Sequence, residues 1–245
     1  MLPEESIFPS FFYTFDNEDP TDELYRYVTT FKIDIKAYHA YNYEDDSKDK
    51  IELAGKAIFR IVHGGSALNN GISLLEIMDV ERDLIGNYGS VYDEESYDFA
   101  PALEDFYGHD FDGLSLGIIE RMEILPAYRG LGFGKLLIQD LYHRFGCGMG
   151  LFVLKVFPLQ LESGIKDKKC RTEWDNKMEY DTLEQDYEKA HYTLLAYYQG
   201  LGFDTIKEFI KDHNEDDTLV FLNPVMRHDA LAYEKAPKII FKEKK

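Results

Sequence analysis

The sequence predicts an α+β fold: a mixed, mostly antiparallel central sheet with helices on both faces. Two stretches, within 27–42 and 51–63, alternate apolar and polar residues at the two-residue period of a half-buried strand. A third, GLFVLKVF at 150–157, is almost continuously apolar, the pattern of a strand buried on both faces. Around these, three segments carry apolar residues at the three- and four-residue spacing of amphipathic helices. Hydrophobic residues make up 44% of the 245, enough for a sizeable core and too many for global disorder.

Taken in order, residues 1–24 are acidic and aromatic, and Pro3, Pro9 and Pro20 point to an irregular arm. Segments 27–42 and 51–63 form a long hairpin across a polar turn at 43–50. Residues 64–72, GGSALNNGI, read as a loop. Ser73 and Glu76 have capping-box spacing ahead of Leu74, Ile77, Met78, Leu84, Ile85, Tyr88 and Val91, which predicts one amphipathic helix over 73–92. The stretch 93–113 holds eight acidic residues and no Lys or Arg, so it reads as a solvated loop or as the wall of an acceptor site.

Strand character returns at 114–125, and a helix follows at 132–145 with Leu136, Leu137, Leu141 and Phe145 on one side. After the buried strand comes an insertion, 159–181, which carries the basic run KDKKCR (166–171). A helix spans 183–200, and 203–210 with 218–222 make a closing strand pair. No repeat or shift in composition divides the chain. A single domain, 1–245, is expected: an arm (1–24), an N-terminal half (25–113), a core (114–223) and a basic tail (224–245).

A formal net charge of −19 argues against nucleic acid as a main partner, since affinity there comes from cations neutralising phosphates. It suits a cationic acceptor such as a polyamine, basic peptide or amino sugar, besides serving solubility. Cys147 and Cys170 are too few for a disulfide framework and point to a reducing compartment. The opening MLPEESIF lacks signal-peptide character, and no stretch approaches the roughly 20 apolar residues of a membrane span. A cytoplasmic protein with no membrane partner is expected.

The chemistry concentrates in MEILPAYRGLGFGK (122–135), at a strand-to-helix transition. Gly130, Gly132 and Gly134 allow a tight turn, and their amides join the free amides at the start of the following helix. That combination suits a pyrophosphate. A Walker A loop needs four residues between Gly and Gly-Lys and then Ser or Thr; here three lie between Gly130 and Gly134, and Leu136 follows Lys135. A dinucleotide fingerprint fails because its third glycine position is Lys135. A plain glycine turn capping a helix is the remaining alternative.

Arg129-x-x-Gly132-x-Gly134, preceded by an apolar strand and Pro126, resembles the coenzyme A pyrophosphate loop of the GNAT superfamily of N-acyltransferases. A second element, YQGLGF at 198–203, is similar to that family's Tyr-x-x-x-Gly-Phe signature, and the two stand in the family's order around the strand at 150–157. The resemblance spans about residues 114–223. It implies a GNAT-like sheet whose strands 114–125 and 150–157 splay apart to admit pantetheine. It also implies roles: backbone of Ile124 and Leu125 pairing with pantetheine, amides of Arg129, Gly130, Gly132, Gly134 and Lys135 holding the pyrophosphate, and Tyr198 protonating the leaving thiolate.

What the resemblance implies is acetyl-CoA as co-substrate, without a metal. The chain would transfer an acetyl or other short acyl group to a primary amine of a cationic small molecule or peptide. The amine must lose a proton before it attacks, and Glu120 on the key strand is the preferred base, or an ordinary strand-edge carboxylate. Relatives with a Glu on the next strand are matched here by Lys155, and those with an Asn early in the second helix by His191, itself a candidate base or a packed histidine. The N-terminal half departs from the family pattern, and the acceptor site is expected there. The basic run 166–171 is either a contact for the adenosine 3′-phosphate or a solvated loop.

Two other classes remain in view. A non-catalytic acyl-CoA-binding module would keep the glycine loop without turnover. Gly113-x-Ser115-x-Gly117 matches a serine-hydrolase elbow, but that elbow needs a sharp turn into a helix, whereas IIERMEIL continues as strand. The histidines show no metal-binding spacing.

Overall fold

The computed structural model describes residues 6–16, 23–40, 50–108, 110–210, 218–226 and 240–241. Its strands are β1 (Ser6–Asp16), β2 (Val28–Ala40), β3 (Lys50–His63), β4 (Tyr92–Asp93), β5 (Asp98–Phe99), β6 (Ser115–Ile124), β7 (Leu151–Val156), β8 (Asp204–Thr205), β9 (Thr218–Leu222) and β10 (Ile240–Phe241). The helices are α1 (Gly64–Asn69), α2 (Leu74–Met78), α3 (Arg82–Tyr88), α4 (Pro101–Tyr107), α5 (Phe133–Phe145), α6 (Ser163–Lys166), α7 (Glu173–Lys177) and α8 (Tyr187–Gly200). Eight strands form one sheet in the order β10-β1-β2-β3-β6-β7-β9-β8, and β4 with β5 makes a separate small ladder. All neighbours in the large sheet are antiparallel except β6 and β7. The fold is mixed and mostly antiparallel, as expected.

Helices cover both faces, and the strand β7 displays why its sequence is apolar at every position but Lys155. Phe152, Leu154 and Val156 enter the core beneath α5 and α8, while Leu151 and Val153 enter the core beneath α1 to α4. On α5, Phe133, Leu137, Ile138, Leu141 and Tyr142 supply the buried stripe. Among the described residues, no helix is long and apolar enough to cross a membrane.

Several expectations for the first half are corrected. Residues 6–16 form a strand rather than an irregular arm. Among the described residues β1 meets β10 only at Ser6 and Ile7, and Pro9 pairs with Ala37 of β2 on the inner side of this outer strand. The expected loop 64–72 contains α1. The single helix over 73–92 is broken into α2 and α3: the Ser73–Glu76 capping box is formed, but Glu81 is extended (φ −132°, ψ 128°) and interrupts the run. The acidic stretch 93–113 is partly ordered as β4, β5 and α4, because Tyr92, Phe99, Leu103 and Tyr107 are buried. The closing pair is shorter than expected, with only Asp204–Thr205 bonded to β9. The expected turn at 43–50 and most of the tail at 224–245 lie outside the described residues.

Two irregularities in the sheet shape the functional region. The parallel ladder between β6 and β7 runs only from Leu116–Leu151 to Ile118–Val153, while β6 continues to Ile124 and β7 to Val156. The strands therefore part company beyond Ile118 and Val153. On the other side of β6, Ile58 faces Arg121 and Phe59 faces Ile119, so Glu120 is the extra residue of a β-bulge. The bulge shifts the alternation, and Ile119, Met122 and Ile124 all pack toward the α5 side.

Candidate active site

A cavity of about 480 Å³ opens in the gap, lined mainly by apolar side chains and by the glycine loop. The loop is held from below. Tyr128 is buried, stacks on Phe133 with ring centroids 5.7 Å apart, and donates its hydroxyl to Glu52 at 2.9 Å; His39 lies 3.3 Å from the same oxygen. Gly130 (φ +74°) and Gly132 (φ +81°) occupy the left-handed region, which side chains rarely adopt. Gly134 is required for a different reason, since a Cβ there would lie 2.6 Å from the Tyr197 hydroxyl and 3.1 Å from the Met122 methyl.

The N-terminus of α5 opens on this cavity. Gly132, its N-cap, has no side chain to satisfy the first-turn amides, and Phe133, Gly134 and Lys135 line the cavity wall. Thirteen aligned peptide units place a partial positive charge at that end. The geometry suits an anionic group such as a pyrophosphate.

Of the two residues expected to meet pantetheine, one does not face the gap. The Leu125 amide donates to the Ala54 carbonyl at 2.8 Å, so its backbone turns toward β3. Ile124 lines the cavity, and its carbonyl accepts from Arg129 Nε at 2.9 Å. Arg129 also donates through Nη2 to the Met178 carbonyl. Its side chain thus lies in the cleft, bridging strand and insertion, a role beyond the backbone contact the resemblance implies. Burial depresses its pKa, with Tyr180 and Glu179 acting in the other direction.

A second cavity of about 280 Å³ adjoins the first and shares Met122, Phe157, Leu159 and Tyr198 with it. Tyr198 is placed by the end of α8. The Gly202 amide bonds the Gln199 carbonyl at 2.9 Å, the Phe203 amide bonds the Tyr198 carbonyl at 3.1 Å, and Gly202 has φ +96°. This is a Schellman cap, and the Tyr198–Phe203 ring contact at 6.0 Å is its hydrophobic closure. The spacing of YQGLGF follows from that cap. Among the described residues, the Tyr198 hydroxyl has no hydrogen-bond partner, and burial, with Tyr197 adding to it, pushes its pKa well above the ordinary value.

Four carboxylates, Glu81, Asp83, Glu120 and Glu162, line the smaller cavity against two cations, Arg121 and Lys155. Behind them Arg60, with its side chain 9% exposed, binds Glu81 and Glu120 together and reaches Thr30 at 3.3 Å. Burial works against its charge, but Glu120 and Glu81 outweigh that and raise its pKa. The break at Glu81 now has its reason: the extended backbone carries that carboxylate to Arg60. Glu120 lies in this cavity as expected, yet as half of an ion pair rather than as a free carboxylate. Asp83 has no ion-pair partner among the described residues.

Other expected residues fall elsewhere. No residue of 93–112 lines either cavity, so the acidic wall is built from α3, β6 and the insertion instead. Lys155 faces the smaller cavity and donates to Asn87 at 3.1 Å. His191 stacks on Tyr187 with centroids 5.6 Å apart and lines neither cavity. In the basic run, Lys168 and Arg171 are both paired with Asp181. Ser115 begins a strand that continues for nine more residues, and Gly117 is small because Phe59 and Phe152 close over it, so the hydrolase elbow is absent. Among the described residues, no group of His, Cys, Asp or Glu is arranged to hold a metal ion.

Sequence reasoning missed Glu81, Asp83 and Arg60, as well as the insertion as a wall. The two-residue alternation of β3 could not flag Arg60, because it reads like the strand's other polar residues and declares its partners only in three dimensions. No family model, curated protein or solved structure matches the chain.

Proposed function

We propose that the chain is a GNAT-type N-acyltransferase, which moves an acetyl or other short acyl group from coenzyme A to a primary amine. The observation that carries this reading is the parting of β6 and β7 beneath the α5 N-terminus, with Tyr198 where the two cavities meet. The larger cavity would take pantetheine and pyrophosphate, and the smaller one the amine. In this reading the mixed, mostly antiparallel sheet is GNAT-like, with a variant N-terminal half that carries α1 to α4.

In this reading the acceptor enters as an ammonium drawn by the acidic wall, and one carboxylate of that wall, Glu120 or Asp83, receives its proton. The free amine attacks the thioester carbonyl carbon to form the new C–N bond. The C–S bond then breaks, and the electron pair leaves on sulfur. Tyr198 gives its proton to that thiolate and is reprotonated from solvent, to which the nitrogen sheds its second proton. The products are an amide and free coenzyme A. Burial keeps the Tyr198 hydroxyl in its protonated form while making it the weaker acid toward a thiolate. The net charge and the lining of the smaller cavity favour a cationic acceptor, and two free, exposed cysteines accord with a cytoplasmic setting.

The test is calorimetric titration with acetyl-CoA, followed by thioester consumption with polyamines, amino sugars, basic peptides and neutral or anionic amines. Binding with turnover of a cationic acceptor supports the reading. Binding without turnover would make the chain an acyl-CoA-binding module, and absence of binding would overturn both.

A further inference from the structure

Glu123 is buried, 6% exposed, and none of the steps above uses it. Three donor groups face its carboxylate: the Tyr180 hydroxyl and the Trp174 indole Nε1, at 3.1 Å, hydrogen-bond it, and Arg121 Nε, 3.3 Å away, is its ion-pair partner. Tyr180 and Trp174 belong to the insertion 159–181, and Arg121 reaches a further residue of it, Glu162, at 3.0 Å. The underside of the insertion is a small apolar cluster of Ile165, Met178 and Tyr180 against Leu125, Leu159 and Trp174. Leu159, Met178 and Tyr180 of that cluster, with Gln160, also line the larger cavity.

A buried carboxylate is costly unless its oxygens are satisfied, and only an acceptor-only group satisfies three converging donors. We propose that Glu123 is a positioning residue, whose carboxylate fastens the insertion onto β6 so that Gln160, Met178 and Tyr180 wall the cavity that takes coenzyme A. This rests on the acyltransferase reading for the identity of the ligand, but not for the fastening itself. Substitution by Gln keeps the volume and turns one acceptor into a donor, which must face Trp174 Nε1 or Arg121, neither of which can accept. The insertion then loosens while Tyr198 and the glycine loop keep their places on α8 and α5.

The chain contains one tryptophan, so Trp174 emission reports directly on the contact. In Glu123→Gln, Trp174 should become more accessible to acrylamide, and the acetyl-CoA Kd should rise about tenfold or more, with kcat at saturation within about threefold of the parent. Tyr180→Phe removes one donor and no buried charge, so it keeps the test open if the first variant fails to fold; it should move both readouts the same way by about two- to fivefold. Lys177→Ala, on the exposed side of the insertion, is the control. Unchanged Trp174 quenching in both variants would overturn the proposal, as would looser quenching with unchanged Kd. If the parent itself binds no coenzyme A, the acyltransferase reading and the cavity-wall role fail together, and Trp174 quenching then decides the fastening alone.

Discussion

The Tyr197 hydroxyl lies 2.6 Å from where a Cβ on Gly134 would stand, so the third glycine of the loop is matched to a tyrosine of α8 and not to the ligand alone. Gly134→Ala should force Tyr197 aside, weaken coenzyme A binding about tenfold and cost about 1–2 kcal/mol of stability. Tyr197→Phe removes the clashing oxygen. The double variant should recover most of both losses, and a thermodynamic cycle by calorimetry and denaturant melts measures the coupling. Additive losses would refute the match. The same contact makes Tyr197 unsuitable as a silent control in any test of Tyr198.

Gly132 presents a separate case, because nothing lies within 4 Å of a Cβ placed there and only its φ of +81° demands glycine. Gly132→Val should add strain of about 1–3 kcal/mol, tilt the first turn of α5 and abolish acetyl-CoA binding in a protein that stays folded. Parent-like affinity by calorimetry would count against the loop as the pyrophosphate site.

Tyr198→Phe keeps the ring packed on Phe203 and deletes only the hydroxyl. If Tyr198 is the acid for thiolate departure, kcat should fall about 10²–10⁴-fold while the Kd for acetyl-CoA barely moves. Tyr192, 72% exposed on the same helix, supplies the control Tyr192→Phe. A Tyr198→Phe enzyme within about threefold of the parent rate would return Tyr198 to its capping role alone.

Arg60→Met leaves Glu81 and Glu120 facing each other without their shared cation. Because the Glu120 side chain is 33% exposed, the cost should be about 2–3 kcal/mol, below the figure for a fully buried pair. Adding Glu81→Gln should restore part of the loss in urea melts. A silent Arg60→Met would show that solvent already screens the cluster.

Stability should also be lost at alkaline pH. Burial pushes up the hydroxyls of Tyr13, Tyr92, Tyr180 and Tyr198, with Asp140 adding to it at Tyr13 and Glu123 at Tyr180. A group raised in the folded state contributes its stability fully below the unfolded value, about 10 for tyrosine, and loses it as pH rises toward the folded value. Melting temperature should therefore fall steeply only above about pH 10, and a uniform decline from pH 8 would contradict the assignment.

The sequence by itself determined the parts whose physics is local. Alternation in 27–42 and 51–63 specified the hairpin β2–β3, because one face of each strand had to be buried. A nearly unbroken apolar run specified β7, and Gly130 and Gly132 specified the turn before α5, since no other residue readily adopts their φ. The spacing of Tyr198, Gly202 and Phe203 specified a helix cap.

Only the tertiary structure decided the rest, because those features depend on partners distant in the chain. Pro9 argued against a strand, yet β1 pairs with β2 along its whole length. The run 73–92 kept helical rhythm throughout, but the pull of Arg60 on Glu81 broke it. Alternation could not place a bulge at Glu120, since an extra residue in a strand is defined by what the neighbouring strand skips. Glu123 read as one carboxylate among many. Its burial under Tyr180, Trp174 and Arg121 required the insertion to fold back across β6, and no local pattern encodes that return.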